Sequence, residues 1–240
     1  MNTTTIDNIN EEIEKNLGHQ HLDDIMVIAS PYTGSSEIVY ILTPAAVPLP
    51  ILQQWSARYG CSIVEVSGFD WDNDMTPWSA PNVPASEPPF KGRAQSFLHL
   101  LTDHIIPEAE KALGIEQVSD RTLVGISLSG LFAVWTWFSD NHFTNIGSIS
   151  GSFWFDGFID WLKHNVTDKP GMARFTIGDL EGGTNGNARF AEVQQQTRET
   201  VDILHNAGID ATLVTEPGDH FAPIVPRIEA MLGMMSPARG

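Results

Sequence analysis

Short apolar runs alternate with longer amphipathic segments along most of the chain, and this alternation limits the possible folds more than any other feature. The runs typical of buried strands are Ile25–Ala29, Glu37–Leu42, Ser62–Val66, Thr122–Ile126, Ile146–Ile149, Ala173–Ile177 and Ala211–Val214. The segments with helical spacing are Pro50–Tyr59, Gln95–Leu113, Leu131–Phe138, Ala188–Asn206 and Ala222–Met234. This order predicts an α/β fold with a mostly parallel central sheet and helices on both faces, and ligands at the carboxyl ends of its strands.

The charge of the chain excludes several classes of partner. Its 240 residues include 13 Lys and Arg against 30 Asp and Glu, a net charge of −17. Because the few basic residues form no cluster, nucleic acid and membrane surfaces are not expected partners. No signal sequence and no apolar run of membrane-spanning length is visible, so a cytoplasmic location is expected. Residues 1–240, 42% of them apolar, are expected to form a single domain.

One stretch interrupts the alternation. Residues 67–89 are rich in Pro, Trp and Asp, and the prolines disfavour both continuous helix and paired strand. A connection of this length inside a compact domain is usually a binding or lid segment, so a functional loop is predicted. The alternative is an ordered surface excursion without a role in binding.

The segment Arg121–Phe132 has the pattern of a nucleophile elbow: an apolar strand, a tight turn of small residues and an apolar helix. In such an elbow the serine occupies a strained turn, and its neighbours two positions away must be small. Gly125 meets this requirement on one side of Ser127, whereas Ser129 stands where a second glycine is usual. The alternative interpretation is a glycine-rich turn with a serine helix cap.

A serine nucleophile needs an imidazole base, and the base needs a carboxylate that orients it. His220 follows the predicted strand Ala211–Val214 and is the candidate base. Glu181 and Asp179 both follow the predicted strand Ala173–Ile177, and Glu181 is favoured because of its offset from Gly178 and its longer reach. No metal or other cofactor is expected, because the remaining histidines do not group as ligands.

Several of these segments resemble one family. The chain is similar, from about Phe90 to Met234, to the bacterial esterases related to esterase D and to the siderophore esterases, which are α/β-hydrolases. The similar segments are Asp74–Pro77, Phe97–Pro107, Gly125–Phe132, Ser150–Trp154, Ile177–Glu181 and Asp219-His220. The chain departs from the family pattern at Ile126, Ser129 and Gly151, and at Asn73 in place of a nearby arginine.

The motifs and the resemblance together predict a serine carboxyl-ester hydrolase that acts through an acyl-enzyme on a small-molecule ester. Ser127 is the expected nucleophile, His220 the base, and Glu181, or alternatively Asp179, the acid. The oxyanion hole is expected to use the backbone N–H of Leu128 and a second N–H from the turn after Glu37–Leu42. Ala45 is chosen for the second donor, because the neighbouring proline has no N–H.

The substrate pocket is predicted to be neutral and aromatic. Four aromatic residues flank the loops expected around the nucleophile: Trp71, Trp78, Phe153 and Trp154. With the strong negative charge, they favour a small or aromatic uncharged ester. A siderophore esterase acting on a catecholate trilactone is the first alternative, and arginines such as Arg93 or Arg189 at the mouth would favour it. A non-catalytic binding protein is the second. The sequence predicts no oligomeric state.

Overall fold

A computed structural model describes residues 24–182 and 188–236 and has a seven-stranded central sheet. Its strands are β1 (Met26–Ser30), β2 (Glu37–Leu42), β3 (Ser62–Ser67), β6 (Asp120–Ile126), β7 (Asn145–Ile149), β8 (Met172–Gly178) and β9 (Asp210–Glu216), in the spatial order β1-β3-β2-β6-β7-β8-β9. Only β1 is antiparallel to its neighbour, and the other neighbouring pairs are parallel. The predicted α/β class and mostly parallel sheet are confirmed.

Helices cover both faces of this sheet. They are α1 (Leu49–Tyr59), α2 (Trp71–Asp74), α3 (Ala94–Leu100), α4 (Ile106–Leu113), α5 (Leu128–Ser139), α6 (Phe158–Asn165), α7 (Ala188–Ala191), α8 (Val193–Asn206) and α9 (Ile224–Met235). Side chains alternate between the two faces along β2, with Tyr40 in one apolar cluster and Ile41 in the other. In the described part of the chain, no helix has both the length and the apolar character of a membrane span.

Three predicted helices differ from the observed ones for local reasons. The segment 95–113 contains a π-helical turn, Leu101–Ile105, because Pro107 has no N–H for the regular ladder and the Ile106 N–H instead bonds to the Leu101 carbonyl. The segment 188–206 breaks at Glu192, whose N–H bonds to the Arg189 carbonyl, three residues earlier in the chain, as in a turn. The last helix begins after Pro223, which is extended, rather than at residue 222.

The Pro- and Trp-rich stretch 67–89 contains more regular structure than the sequence predicts. It includes the short helix α2 and the strand β4 (Ser79–Ala80), which pairs with β5 (Phe90–Lys91) in a separate two-stranded sheet. Arg93 fastens α2 by ion pairs to Asp70 at 2.5 Å and to Asp74 at 3.1 Å. These contacts hold the stretch across the carboxyl end of the central sheet, where Trp71 lines a cavity.

Candidate active site

Ser127 lies between β6 and α5 in a strained backbone conformation, with φ 55° and ψ −119°. The turn is so tight that a Cβ atom at Gly125 would lie 2.0 Å from the Ser129 carbonyl oxygen. A Cβ atom at Gly130 would lie 2.7 Å from the Ser148 hydroxyl, so a side chain there would displace that hydroxyl. Because the strained turn leads directly into the helix, α5 begins at Leu128 rather than at the predicted Leu131.

Ser129, the departure from the usual second glycine, fits into this turn through its hydroxyl. Its side chain is fully buried, and the Oγ accepts a hydrogen bond from the Ile126 N–H at 2.8 Å. The same oxygen lies 2.9 Å from the Leu42 carbonyl oxygen, to which it can donate. The hydroxyl therefore joins β2 to the elbow.

The predicted nucleophile, base and favoured acid form one chain of hydrogen bonds. Ser127 Oγ lies 3.0 Å from His220 Nε2, and His220 Nδ1 lies 3.0 Å from Glu181 Oε2. Each side chain comes from a loop or turn at the carboxyl end of a strand, β6, β9 and β8 respectively. Parallel strands bring these ends to one edge of the sheet, which explains how residues far apart in sequence meet.

The second oxygen of Glu181 is also fully engaged. Its Oε1 accepts hydrogen bonds from the Gly178 N–H at 2.8 Å and from the Ser150 hydroxyl, and it pairs with Arg227 at 3.2 Å. Burial, the largest influence, raises the pKa of Glu181, but the hydrogen bonds from His220, Ser150 and Gly178 outweigh it and hold the pKa below its ordinary value. The carboxylate is therefore ionised at neutral pH.

Asp179, the alternative acid, points elsewhere. Its carboxylate accepts a hydrogen bond from the Gly218 N–H at 2.8 Å, and its own N–H donates to the Glu216 carbonyl at 2.8 Å. Asp179 thus joins the loop after β8 to the loop after β9. The structure places Glu181, and not Asp179, against His220.

The sequence reasoning assigned no role to Arg227, whose side chain lies in the acid cluster. Arg227 is buried, and besides Glu181 it contacts the Ser150 hydroxyl and, at 3.4 Å, Glu216. A signal was present in the sequence, because this arginine lies on the apolar face of α9, next to Ile228. A cation on a buried helix face indicates a buried anion nearby.

A cavity of about 240 Å³ opens in front of Ser127. Its wall includes the three residues of the hydrogen-bond chain, the predicted Leu128, and five aromatic residues: Trp71, Phe90, Trp154, Phe190 and Phe221. Leu180 and Phe221 are exposed at its mouth, by 62% and 77% of their surfaces. Two of the four predicted substrate-binding aromatics, Trp71 and Trp154, therefore line the cavity.

The other two predicted substrate-binding aromatics, Phe153 and Trp78, are outside the cavity wall. Phe153 is 1% exposed and stacks on Phe158 with ring centres 5.5 Å apart. Trp78 packs against Trp161, and its indole N–H donates to the Asp156 carbonyl at 2.8 Å. Phe153 packs in the core while its neighbour Trp154 lines the cavity, and Trp78 is partly buried against the same core. Ala45 is exposed on the turn after β2 and is also outside the wall.

The charged groups of the cavity wall are carboxylates. They belong to Asp72, Glu181 and Asp219, and no lysine or arginine is among the described residues of the wall. Partial burial, the largest influence, raises the pKa of Asp72 despite a hydrogen bond from Asn82. The described residues also contain no cluster of three or more His, Cys, Asp or Glu that could hold a metal ion.

The two cations that the sequence offered for an anionic substrate are engaged with neighbouring acids. Arg93 pairs with Asp70 and Asp74. Arg189 pairs with Asp156 at 2.7 Å. Both arginines fasten the segments around the cavity to one another, and neither belongs to its wall.

Comparisons with known proteins agree with this architecture. The chain is 32% identical over 114 residues to the "Uncharacterized protein YbbA" of Bacillus subtilis (strain 168), covering 46% of this chain and 45% of the relative, so the match spans less than half of that protein. Among solved structures, it is similar to "Siderophore hydrolase EstB from Aspergillus nidulans" (TM-score 0.67, 18% identity, 90% of this chain and 91% of the other).

An "IroE-like serine hydrolase" from Shewanella oneidensis is also similar (TM-score 0.73, 18% identity, 89% of this chain and 76% of the other). At these identities the structural likeness shows the α/β-hydrolase fold. A family model described as "Putative esterase" matches residues 62–224, well over half of the chain and all of the segment from the elbow to the imidazole. The chain therefore belongs to this esterase family.

Proposed function

We propose that the chain is a serine carboxyl-ester hydrolase that works through an acyl-enzyme. One observation carries the proposal: Ser127 Oγ, His220 Nε2, His220 Nδ1 and Glu181 Oε2 are linked by two contacts of 3.0 Å. A serine hydroxyl beside an oriented imidazole is the arrangement that activates this weak nucleophile at neutral pH.

In the first half-reaction, His220 Nε2 accepts the proton of Ser127 as Oγ attacks the ester carbonyl carbon. The resulting imidazolium is stabilised by the ionised Glu181, and it protonates the departing alcohol. In the second half-reaction, His220 deprotonates a water molecule that attacks the acyl-enzyme, and the carboxylic acid is released. The base is restored at the end of each cycle.

The negative carbonyl oxygen of the intermediates needs hydrogen-bond donors. The backbone N–H of Leu128 is the first, because it lies at the start of α5, immediately after the nucleophile, and Leu128 lines the cavity. We assign the second donor to the turn after β2, as the sequence predicts. Ala45 is the predicted residue in that turn, although it is not among the residues of the cavity wall.

The substrate class follows from the size and charge of the cavity. A volume of about 240 Å³ is below the roughly 300–1,000 Å³ of pockets that bury drug-sized ligands. Its wall is aromatic and carries carboxylates, which repel an anionic substrate. These features favour a small or aromatic uncharged ester.

Two other functions are less compatible with these observations. EstB is named as a siderophore hydrolase, but a ferric catecholate is large and anionic, and the described wall offers it no arginine or lysine. A non-catalytic binding role was suggested by Ser129. The hydroxyl of Ser129 binds the backbone, however, and leaves Ser127 in contact with His220.

The test is labelling with a fluorophosphonate probe, followed by a panel of p-nitrophenyl esters and a ferric catecholate. We expect the probe to modify Ser127, and Ser127→Ala to abolish both labelling and ester turnover. Ser36→Ala, which alters a half-buried serine bonded to Ser119, is the matched control and should behave as wild type. Labelling that persists in Ser127→Ala would contradict the mechanism. A kcat/KM more than tenfold higher for the catecholate than for aryl esters would contradict the substrate class.

A further inference from the structure

A second serine hydroxyl touches the nucleophile. Ser152 Oγ lies 3.2 Å from Ser127 Oγ, and Ser152 is 1% exposed. Among residues 24–182 and 188–236, the Ser152 hydroxyl has one hydrogen-bond partner, Ser127 Oγ. A buried hydroxyl is costly to leave without a partner, so this contact fixes where the hydroxyl points.

The backbone holds Ser152 in this position. Its N–H donates to the Ser127 carbonyl at 3.0 Å, and its own carbonyl accepts the Phe155 N–H at 3.0 Å. Two residues earlier, Ser150 has φ 48°, and its N–H donates to the Thr176 carbonyl at 2.8 Å, which joins the turn to β8. The turn 150–155 is therefore fixed to the elbow and to the sheet, and the Ser152 hydroxyl is positioned before substrate binds.

The direction of the hydrogen bond follows from the proton inventory. Ser127 has one hydroxyl proton, and in the reactive arrangement that proton points to His220 Nε2. The hydrogen bond between the serines must then be donated by Ser152 and accepted by Ser127 Oγ.

We propose that Ser152 is a further catalytic residue that stabilises negative charge on Ser127 Oγ; the proposal rests on the acyl-enzyme mechanism above. In deacylation, water adds to the acyl carbonyl carbon and gives its proton to His220. The bond from that carbon to Ser127 Oγ then breaks, its electron pair moves to Oγ, and His220 returns the proton to Oγ. Ser152 keeps its own proton throughout and donates a hydrogen bond to Oγ as the charge develops.

The two half-reactions should depend on Ser152 to different degrees. In the free enzyme Ser127 Oγ already accepts the hydrogen bond, so only its strengthening in the transition state accelerates acylation. In the acyl-enzyme, Ser127 Oγ is an ester oxygen, which is a weak acceptor. Most of the strength of the hydrogen bond from Ser152 is therefore gained on the way to the transition state. Loss of the hydroxyl should therefore slow deacylation more than acylation.

The experiment compares Ser152→Ala with wild type in a stopped-flow burst assay on p-nitrophenyl acetate. We expect the deacylation rate constant to fall about tenfold, equivalent to roughly 1.4 kcal/mol, and the acylation rate constant to fall less. The burst should still release one p-nitrophenol per enzyme molecule. Ser56→Ala is the matched control: Ser56 is 2% exposed, and its hydroxyl donates to the Ser30 carbonyl on β1. Its burst should match wild type.

Ser152→Gly, which also lacks the hydroxyl and adds no atoms, repeats the measurement should the alanine variant not fold. An unchanged deacylation rate constant, an equal loss in both steps, or a faster enzyme would overturn the proposal. Failure of the acyl-enzyme mechanism itself is distinguishable, because wild type would then show neither a burst nor labelling of Ser127.

Discussion

Two buried glutamates of this protein have pKa values that are shifted in opposite directions. Glu181, 6% exposed in the loop after β8, receives hydrogen bonds from His220, Ser150 and Gly178, and its pKa lies below the ordinary value. Glu65, fully buried in β3, has an Oε2 atom with no hydrogen-bond partner among the described residues, and burial, which outweighs the hydrogen bond from Thr43, raises its pKa to about 7. Burial alone therefore does not decide the charge of a carboxyl group; the donors around it do.

The difference follows from where each residue lies in the fold. Glu181 lies at the carboxyl end of the sheet, where loop N–H groups and polar side chains converge. Glu65 lies within a strand, between Ile28 of β1 and Ile41 of β2, and faces the apolar cluster beneath α1. There the Thr43 hydroxyl bonds to its Oε1.

Glu181→Gln should have the largest effect. Glutamine has one acceptor oxygen and one NH2 group where glutamate has two acceptor oxygens. If the NH2 group faces His220, it donates to Nδ1, and the imidazole proton then lies on Nε2, which can no longer accept the proton of Ser127. We expect kcat to fall by about 10³–10⁴-fold, measured with an aryl ester at pH 7.5. Asp179→Asn is the matched control and should lose less than about tenfold, since Asp179 contacts the Gly218 N–H. A larger loss in Asp179→Asn would reverse the assignment of the acid.

Arg227→Met tests whether Glu181 depends on its buried cation for stability. The substitution removes the cation that pairs with both the buried Glu181 carboxylate and the half-buried Glu216 carboxylate. We expect the free energy of unfolding to fall by about 3–5 kcal/mol, measured by urea denaturation at pH 7. Arg58→Met, which breaks an ion pair between Glu229 and an arginine that is 61% exposed, should cost less than about 1 kcal/mol. Equal losses would show that Arg227 does not act through buried charge.

The contrast between the two glutamates also shows how far sequence reasoning reaches. The strand–turn–helix pattern around Ser127 and the loops that follow the next strands predict which residues can meet at one sheet edge, because parallel strands align those ends. The partner contacts cannot be predicted in this way. Arg227 and Ser152 reach the site through the packing of a helix and a turn, and no spacing rule connects either of them with Glu181 or Ser127.

The aromatic residues show a second limit. Trp154 and Phe153 are neighbours in sequence, but one lines the cavity and the other packs in the core. Hydrophobicity is the same signal for both positions, and only the direction of the turn separates them. Trp78 likewise satisfies its indole N–H at the Asp156 carbonyl, a tertiary contact that composition does not reveal.

Glu65→Gln tests the other side of the comparison. The unfolded chain releases the Glu65 proton near 4.5 and the folded chain near 7, so between these pH values unfolding releases a proton and rising pH favours it. Glutamine removes this contribution. We expect Glu65→Gln to be more stable than wild type at pH 8, by about 3 kcal/mol, and equally stable near pH 4.5, in urea titrations across that range. A variant less stable than wild type at pH 8 would mean that folding does not raise the pKa of Glu65.

Asp72→Asn should have the smallest effect and extends the comparison to a carboxylate that solvent reaches. Asp72 lines the cavity, and although partial burial raises its pKa, the ionised carboxylate opposes anionic esters. We expect kcat/KM for an anionic aryl ester to rise about threefold at low salt, which is roughly 0.7 kcal/mol. The gain should shrink at high salt, because ions screen a charge at this position.

A matched neutral aryl ester should change little in the same variant, since no charge on that substrate meets Asp72. Asp202→Asn, an exposed substitution on α8, removes the same charge from the whole protein and should leave both kcat/KM values unchanged. If Asp202→Asn produced the same gain, the repulsion would belong to the net charge of −17 rather than to the cavity wall. The charge of Asp72 would then not repel the substrate within the cavity. The selectivity against anions would vanish at physiological salt, where ions screen charges over about 8 Å.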